Sequence, residues 1–241
     1  MPIGDIELKA YAIIPARSGS KGLPDKNIRD INGKPLLAYS IEFAKKLTGV
    51  TKIICSTDSE KYADIARQYG AEVPFLRSSE AAADTAMEEH ILADLRAKFA
   101  EHNIPEPDIL IWLRPTFVFR SISDVEQCIE IMKTNAKATA ARTVVRAENR
   151  LYHLEDGVLT PAFDDLGKSM MRRQDMRPEY KVFSTDVFRF KGNNFGPDFL
   201  GRSVYAVETN SKCGLDIDDR FDFEVVKNII ENNPELVSEY L

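Results

Sequence analysis

Along the first half of the chain, short continuous apolar runs alternate with longer segments whose apolar positions recur every three or four residues. "YAIIPA", "KIICSTD" and "DILIWL" read as strands buried on both faces, being apolar without an alternating polar partner. "EVPFL" reads as a further short strand. Between them, "PLLAYSIEFAKK" with Pro35 at its start, "SEKYADIARQYG" stopped by Gly70, and "DTAMEEHILADLRAKFAEH" read as helices. "SISDVEQCIEIMK" reads as another, with Ser123 and Glu126 placed as a capping box. Strands alternating with helices predict a mainly parallel sheet covered by helices on both faces, with ligands at the carboxyl ends of its strands.

After "ATAARTVV" the pattern changes. From about Ala147 to Lys191 the apolar runs shorten and a hairpin signal appears, "HLEDGVLTP", with Asp156-Gly157 as its turn. This stretch also carries the charge-rich "MMRRQDMRPEYK". The α/β pattern resumes with "SVYAVE", "CGLDID" and a helical stretch from about Phe221. With no internal repeat, low-complexity tract or linker, residues 1–241 read as one α/β domain with an inserted β-rich arm at about 147–191.

Composition narrows the partners more than the fold. At 44% hydrophobic and 29% charged residues, the 241-residue chain has the material for an ordinary core. A net charge of −6 argues against nucleic acid or an anionic membrane surface as partner, but a local cationic loop can still hold a small anion. Cys55, Cys128 and Cys213 are scattered, without a CxxC, and no secretory leader or long apolar window is present, which reads as a cytoplasmic protein with reduced thiols. His90, His102 and His153 lack metal-ligand spacing, and Trp112 reads as a core residue.

The candidate chemistry begins where the first strand ends. "IIPARSGSKGLPDKN" (Ile13 to Asn27) leaves that strand with Gly19 and Gly22, which permit left-handed backbone and inward N–H groups, and with Arg17, Lys21 and Lys26 as cations. It is neither a Walker A loop nor the GxGxxG dinucleotide turn, because the spacing fails for both. A solvated basic turn is the alternative, and the position after a buried strand favours an anion site. Far along the chain, "LDIDD" places Asp216 and Asp218 two apart. If the run is a strand, both carboxylates share a face, an arrangement suited to Mg²⁺. The alternative is an acidic turn that caps the next helix through Asp219 and Asp222.

"IPARSGSKGLPDKN", "STDS", "RSSEAAADTA", "LRPTFVFR", "RRQDMRPEYK" and "LDIDDRFDFE" together resemble, in order and spacing, the cytidylyltransferases that make CMP-sialic acid and related CMP-nonulosonates. The resemblance spans most of the chain. It implies a Rossmann-like fold, Mg²⁺ as cofactor, and a homodimer formed through an arm. It implies CTP and a 2-keto nine-carbon sugar acid as substrates, the anomeric hydroxyl attacking the α-phosphorus to give a CMP-sugar and pyrophosphate. Carried onto this sequence, it implies catalytic roles for Arg17, Lys21, Asp216 and Asp218, the two aspartates also being the metal ligands. It implies nucleotide contacts from Ala16, Arg17, Ser18, Gly19, Ser20, Lys26, Asn27, Arg77 and Thr116, and sugar contacts from Glu88, Arg114, Arg173, Gln174 and Lys181.

The sequence departs from the family pattern mainly on the sugar side. "LQPTSPLR" is usual where this chain has "LRPTFVFR", so Arg114 replaces a glutamine and Phe117 a serine. Met87, Glu88 and Glu89 stand where a serine is frequent, and "KVFSTDVFRF" replaces "RPNGAIYI", losing the Asn-Gly turn. The donor motifs survive, so the expected activity is CMP transfer to a keto-sugar acid other than standard N-acetylneuraminate, with legionaminic-type and pseudaminic-type acids open. An octulosonate-type cytidylyltransferase, another sugar nucleotidyltransferase and a non-catalytic nucleotide-binding paralogue remain as alternatives.

Overall fold

The computed structural model describes residues 8–164, 168 and 172–241. The first apolar run forms strand β1 (Ala10–Pro15), followed by the small hairpin β2 (Asp30–Ile31) and β3 (Lys34–Pro35) and by helix α1 (Leu36–Lys46), which Pro35 caps. Then come β4 (Val50–Ser56), α2 (Glu60–Gln68), the single turn α3 (Ser79–Ala82), α4 (Glu88–Glu101), β5 (Ile109–Leu113) and α5 (Ile122–Thr134). The second half holds β6 (Ala140–Arg146), the hairpin β7 (Tyr152–Glu155) and β8 (Val158–Pro161), β9 (Tyr180–Lys181), β10 (Thr185–Arg189), β11 (Val204–Glu208) and α6 (Arg220–Asn232).

The main sheet runs β11-β6-β10-β5-β1-β4, with β9 added to β6. β1 pairs in parallel with β4 and β5, and β11 pairs in parallel with β6. Strand β10 is antiparallel to both β5 and β6, so the sheet is mixed although mostly parallel. The period-two alternation sorts each strand between two cores. Ala10, Ala12, Ile14, Ile109 and Ile111 join the cluster containing Leu37, Ala63 and Ile129 of α1, α2 and α5, whereas Tyr11, Ile13, Leu110 and Trp112 pack with Leu92, Leu95 and Phe99 of α4. Helices therefore cover both faces, and this double burial is why the strands are apolar throughout. Among the described residues no helix is long and apolar enough to cross a membrane.

Several expectations change. "EVPFL" is not a strand: Glu72 makes one bridge to Ile54, and the chain then leaves the sheet at Pro74, which has no N–H to donate. The long helix expected from Asp84 begins only at Glu88, leaving Asp84 in a loop. Helix α5 starts two residues earlier than the capping-box reading, because Ser121 accepts from the Asp124 N–H while Glu126 accepts from the Thr48 N–H. The Asp156-Gly157 hairpin forms as expected, with φ of 49° and 80° at its two turn residues. The last part of the predicted arm, Thr185–Arg189, instead lies in the middle of the sheet.

A third core cluster sets the site. Leu23 of the loop after β1, Val118 and Phe119 after β5, Ile217 and Phe223, Val226 and Ile230 of α6 pack together. One apolar patch thus holds the basic loop and the acidic segment side by side.

Candidate active site

The basic loop is braced near both of its ends. Ala16, fully buried, donates its N–H to the Ser56 carbonyl at 2.9 Å. Ser18 gives both its N–H and its hydroxyl to the Asp58 carboxylate, each at 2.8 Å. Asn27, buried, donates from Nδ2 to the Arg17 carbonyl at 3.0 Å, and Lys26 Nζ donates to the Ile217 carbonyl at 2.6 Å. The glycines act differently from expectation, since neither Gly19 nor Gly22 adopts a left-handed φ. Gly22 is needed for space: a Cβ there would lie 2.7 Å from the Asp218 carbonyl oxygen, whereas one at Gly19 would meet nothing within 4 Å.

The acidic segment is not a strand. It follows a short 3₁₀ turn (Ser211–Gly214) as irregular chain, tied down by the Ile217 N–H on the Thr116 carbonyl at 3.1 Å. The side-chain alternation survives nonetheless, with Ile217 buried in the third cluster and Asp216 and Asp218 directed elsewhere. Burial raises the Asp216 pKa above the usual carboxylate value; the Thr116 hydroxyl opposes the shift and the nearby Asp218 charge adds to it. Asp216 Oδ1 is buried without a hydrogen-bond partner among the described residues. The helix-capping duty falls on Asp219 and Asp222, which form a reciprocal box at the start of α6. Among the described residues no three or more His, Cys, Asp or Glu side chains cluster to hold a metal ion. Two oxygen-donating carboxylates, one with an orphan buried oxygen, nevertheless fit Mg²⁺, which takes one or two carboxylates and completes its shell with phosphate and water oxygens.

Between loop, β5 and α4 opens a cleft of about 400 Å³ at the carboxyl ends of β1 and β5. Nine of the anticipated residues line it: Arg17, Ser20, Lys21, Lys26, Asn27, Arg77, Glu88, Arg114 and Thr116. Ala16, Ser18, Gly19 and Asp218 are not among the lining residues, Gly19 and Asp218 being exposed, and Asp216 meets the cleft through its contact with Thr116. Arg77 is 6% exposed, with Nε donating to the Ser56 hydroxyl at 3.1 Å and a second nitrogen to the Ser56 carbonyl at 2.7 Å. Burial lowers its pKa, partly offset by Asp58. Lys181 lies outside the lining, donating to the Gly214 carbonyl at 3.0 Å near Asp216. Gln174 is exposed and not among the lining residues, and the side chain of Arg173 lies outside the described residues.

Three features escaped the sequence reading. Asp84 bridges the two loop cations, Arg17 at 2.9 Å and Lys21 at 2.7 Å; Lys21 chiefly, and then Arg17, lower its pKa. Its position in "DTA" was the available signal. Asp186, 1% exposed, accepts from both Arg114 at 2.8 Å and Arg142 at 2.7 Å, and Arg114 also reaches Glu88 at 3.0 Å. Burial alone would depress the Arg114 pKa, but these two carboxylates outweigh it and raise it. Arg114 is therefore a neutralised wall, not a free cation awaiting a substrate. Beneath it, fully buried Arg120 donates to the Arg114 carbonyl at 2.6 Å and fixes the turn.

A mostly parallel sheet with a cationic loop at its carboxyl edge and an acidic segment packed against that loop is an α/β architecture suited to holding a nucleotide's phosphates. The fold matches that of CMP:2-keto-3-deoxy-manno-octonic acid synthetase complexed with CTP (TM-score 0.65, 17% identity, 92% of this chain and 98% of the other). More particularly, the chain belongs to the cytidylyltransferase family, whose profile matches residues 11–208. It is 41% identical over 134 residues to the CMP-N,N'-diacetyllegionaminic acid synthase of Legionella pneumophila, covering 56% of this chain and 57% of that protein. It is 33% identical over 226 residues to the N-acylneuraminate cytidylyltransferase of Escherichia coli O18:K1:H7, covering 92% of this chain and 52% of that one. The chain thus spans a little over half the length of these two relatives.

Proposed function

We propose that this protein transfers CMP from CTP to the anomeric hydroxyl of a nine-carbon 2-keto sugar acid, releasing pyrophosphate. The observation that carries this reading is the close approach of the basic loop to the acidic segment at Gly22 and Lys26, which brings the cations lining the cleft beside the segment that bears Asp216 and Asp218. The names of the family relatives supply the substrate class.

In this reading the triphosphate lies along Arg17, Ser20 and Lys21, drawing the two cations from Asp84 onto phosphate oxygens. Arg77 and Thr116, which also line the cleft, contact the nucleotide. The anomeric oxygen forms its bond to the α-phosphorus while the bond to the bridging oxygen breaks, and the electron pair leaves with pyrophosphate. The hydroxyl proton passes to a carboxylate of the acidic segment, Asp216 or Asp218. Asp216 and Asp218 would hold Mg²⁺, which neutralises phosphate charge when bound. Because the reacting groups are ionic, positioning and electrostatics supply most of the acceleration.

The reading extends to a homodimer. Strands β7 and β8 are exposed along their whole length, with Leu154 68%, Val158 62% and Leu159 62% exposed. An isolated two-stranded hairpin with such a surface is marginal alone and gains stability by meeting a second copy. Free buried cysteines and a CTP substrate fit a cytoplasmic enzyme. The test is pyrophosphate release from each of the four ribonucleoside triphosphates with Mg²⁺ and a set of nine- and eight-carbon 2-keto sugar acids, the product identified by mass. CTP-dependent release with a CMP-sugar product is expected. Inert CTP, or another nucleotide preferred over it, refutes the proposal.

A further inference from the structure

Two of the sequence departures on the sugar side touch each other: Arg114 and Phe183, the phenylalanine near the start of "KVFSTDVFRF". Phe183 has a backbone φ of 88°, a left-handed conformation that a bulky side chain rarely adopts and that persists only where the surroundings enforce it. Its carbonyl accepts from Arg114 Nη1 at 3.0 Å, and its ring lies 5.1 Å from the Arg114 guanidinium and 5.4 Å from that of Arg142. Buried Asp186 ties those guanidinium groups together. Phe183 is nonetheless 49% exposed, so part of it rests on the arginines while the rest faces solvent beside Arg114, which lines the cleft.

Charge decides what this wall can take. Arg114 and Arg142 carry two positive charges, and Asp186 and Glu88 supply two negative ones at 2.7 to 3.0 Å. A substrate carboxylate would have to compete with both acids, and displacing Asp186, whose side chain is 2% exposed, would leave it unpaired in a poorly solvated site. An uncharged group with an apolar face has no such cost and covers exposed aromatic surface.

We infer that Phe183 and Arg114 form one specificity element, a charge-balanced aromatic wall that receives an uncharged acylamino or deoxy portion of the acceptor, not its carboxylate. The inference rests on the CMP-transfer reading above. Arg114 is here a positioning residue: with its carbonyl contact and its guanidinium it holds Phe183 in the left-handed conformation. An asparagine, which tolerates that conformation, would remove the aromatic face while relieving the strain.

The test compares the parent with Phe183→Asn, Phe183→Tyr, Arg114→Gln and the Phe183→Asn/Arg114→Gln double variant. Pyrophosphate release is followed with saturating CTP on a diacylated nine-carbon 2-keto sugar acid and on unacylated 2-keto-3-deoxyoctonate. Phe183→Asn is expected to lower kcat/KM for the diacylated acid by about tenfold or more. The KM for CTP stays within about twofold and thermal stability does not fall, while Phe183→Tyr retains the parent's preference. The double variant loses little beyond Phe183→Asn alone, as expected of residues acting as one unit. A parent that prefers the unacylated acid, or a Phe183→Asn variant that loses activity equally on both acids or on neither, overturns the inference alone. A parent that releases no pyrophosphate from CTP with any acid overturns the functional reading and the inference with it.

Discussion

Gly22→Ala is the substitution whose consequence the geometry fixes most directly. The added Cβ would sit 2.7 Å from the Asp218 carbonyl oxygen, a backbone atom with no rotamer through which to move aside. Restoring ordinary contact requires the loop and the acidic segment to separate by about 0.7 Å. Both are anchored, the loop through Asp58 on Ser18 and the segment through Thr116 on Ile217, so the separation falls on the loop's cleft side. Displacement of catalytic groups by a fraction of an ångström to an ångström costs about 10- to 100-fold in rate, and overpacking costs about 1–3 kcal/mol in stability. The assay is initial-rate pyrophosphate release with CTP and the acceptor acid, alongside thermal melts of the empty protein. Gly19→Ala is the control, because its Cβ meets nothing within 4 Å and its backbone is not left-handed, so its melt should match the parent's. If Gly22→Ala turned over and melted like the parent, the argument that the two segments meet at Gly22 to build one site would be wrong.

Other expectations follow from the same contacts. Lys21→Ala should lower CMP transfer by about 100-fold, measured as kcat/KM for CTP, because it removes a cleft cation that the proposed reaction sets on phosphate oxygens. Asp216→Asn should abolish transfer yet melt at or above the parent in Mg²⁺-free buffer at neutral pH. The folded state raises the Asp216 pKa, chiefly through burial, so its ionised form destabilises the native protein. That penalty is absent below the unfolded carboxylate pKa of about 4, grows as pH rises through the folded value, and is complete above it; the gap between variant and parent should therefore close in acid. Leu154→Asp with Leu159→Asp should convert the proposed dimer to monomer in light scattering, while unchanged mass would remove the hairpin from the interface.

The strands and helices were legible because burial on two faces imposes continuous apolar runs and burial on one imposes the helical period; β1, β4, β5, α1 and α2 lie where those patterns put them. Local chemistry could also be read in place: Asp156-Gly157 needs no distant partner to make its turn. The misreadings arose where distant contacts decide. Strand β10 fell within the expected arm because nothing in "TDVFR" announces that it inserts antiparallel between β5 and β6. Glycine spacing suggested conformational freedom at Gly22, but the demand there is for space against Asp218, far away in sequence.

For the site, the sequence by itself determined the inventory: the cations after the first strand, the paired aspartates, and the altered residues on the sugar side. Only the tertiary structure decided how their charges are spent. Arg114 is neutralised by Asp186 and Glu88, Arg17 and Lys21 meet on Asp84, and Asp216 keeps a buried oxygen without a hydrogen-bond partner among the described residues. The physical reason is that a residue's type sets its charge and hydrogen-bonding capacity, whereas its partners and its exposure to water, which set what that capacity can do, are fixed by chain segments brought together from far apart.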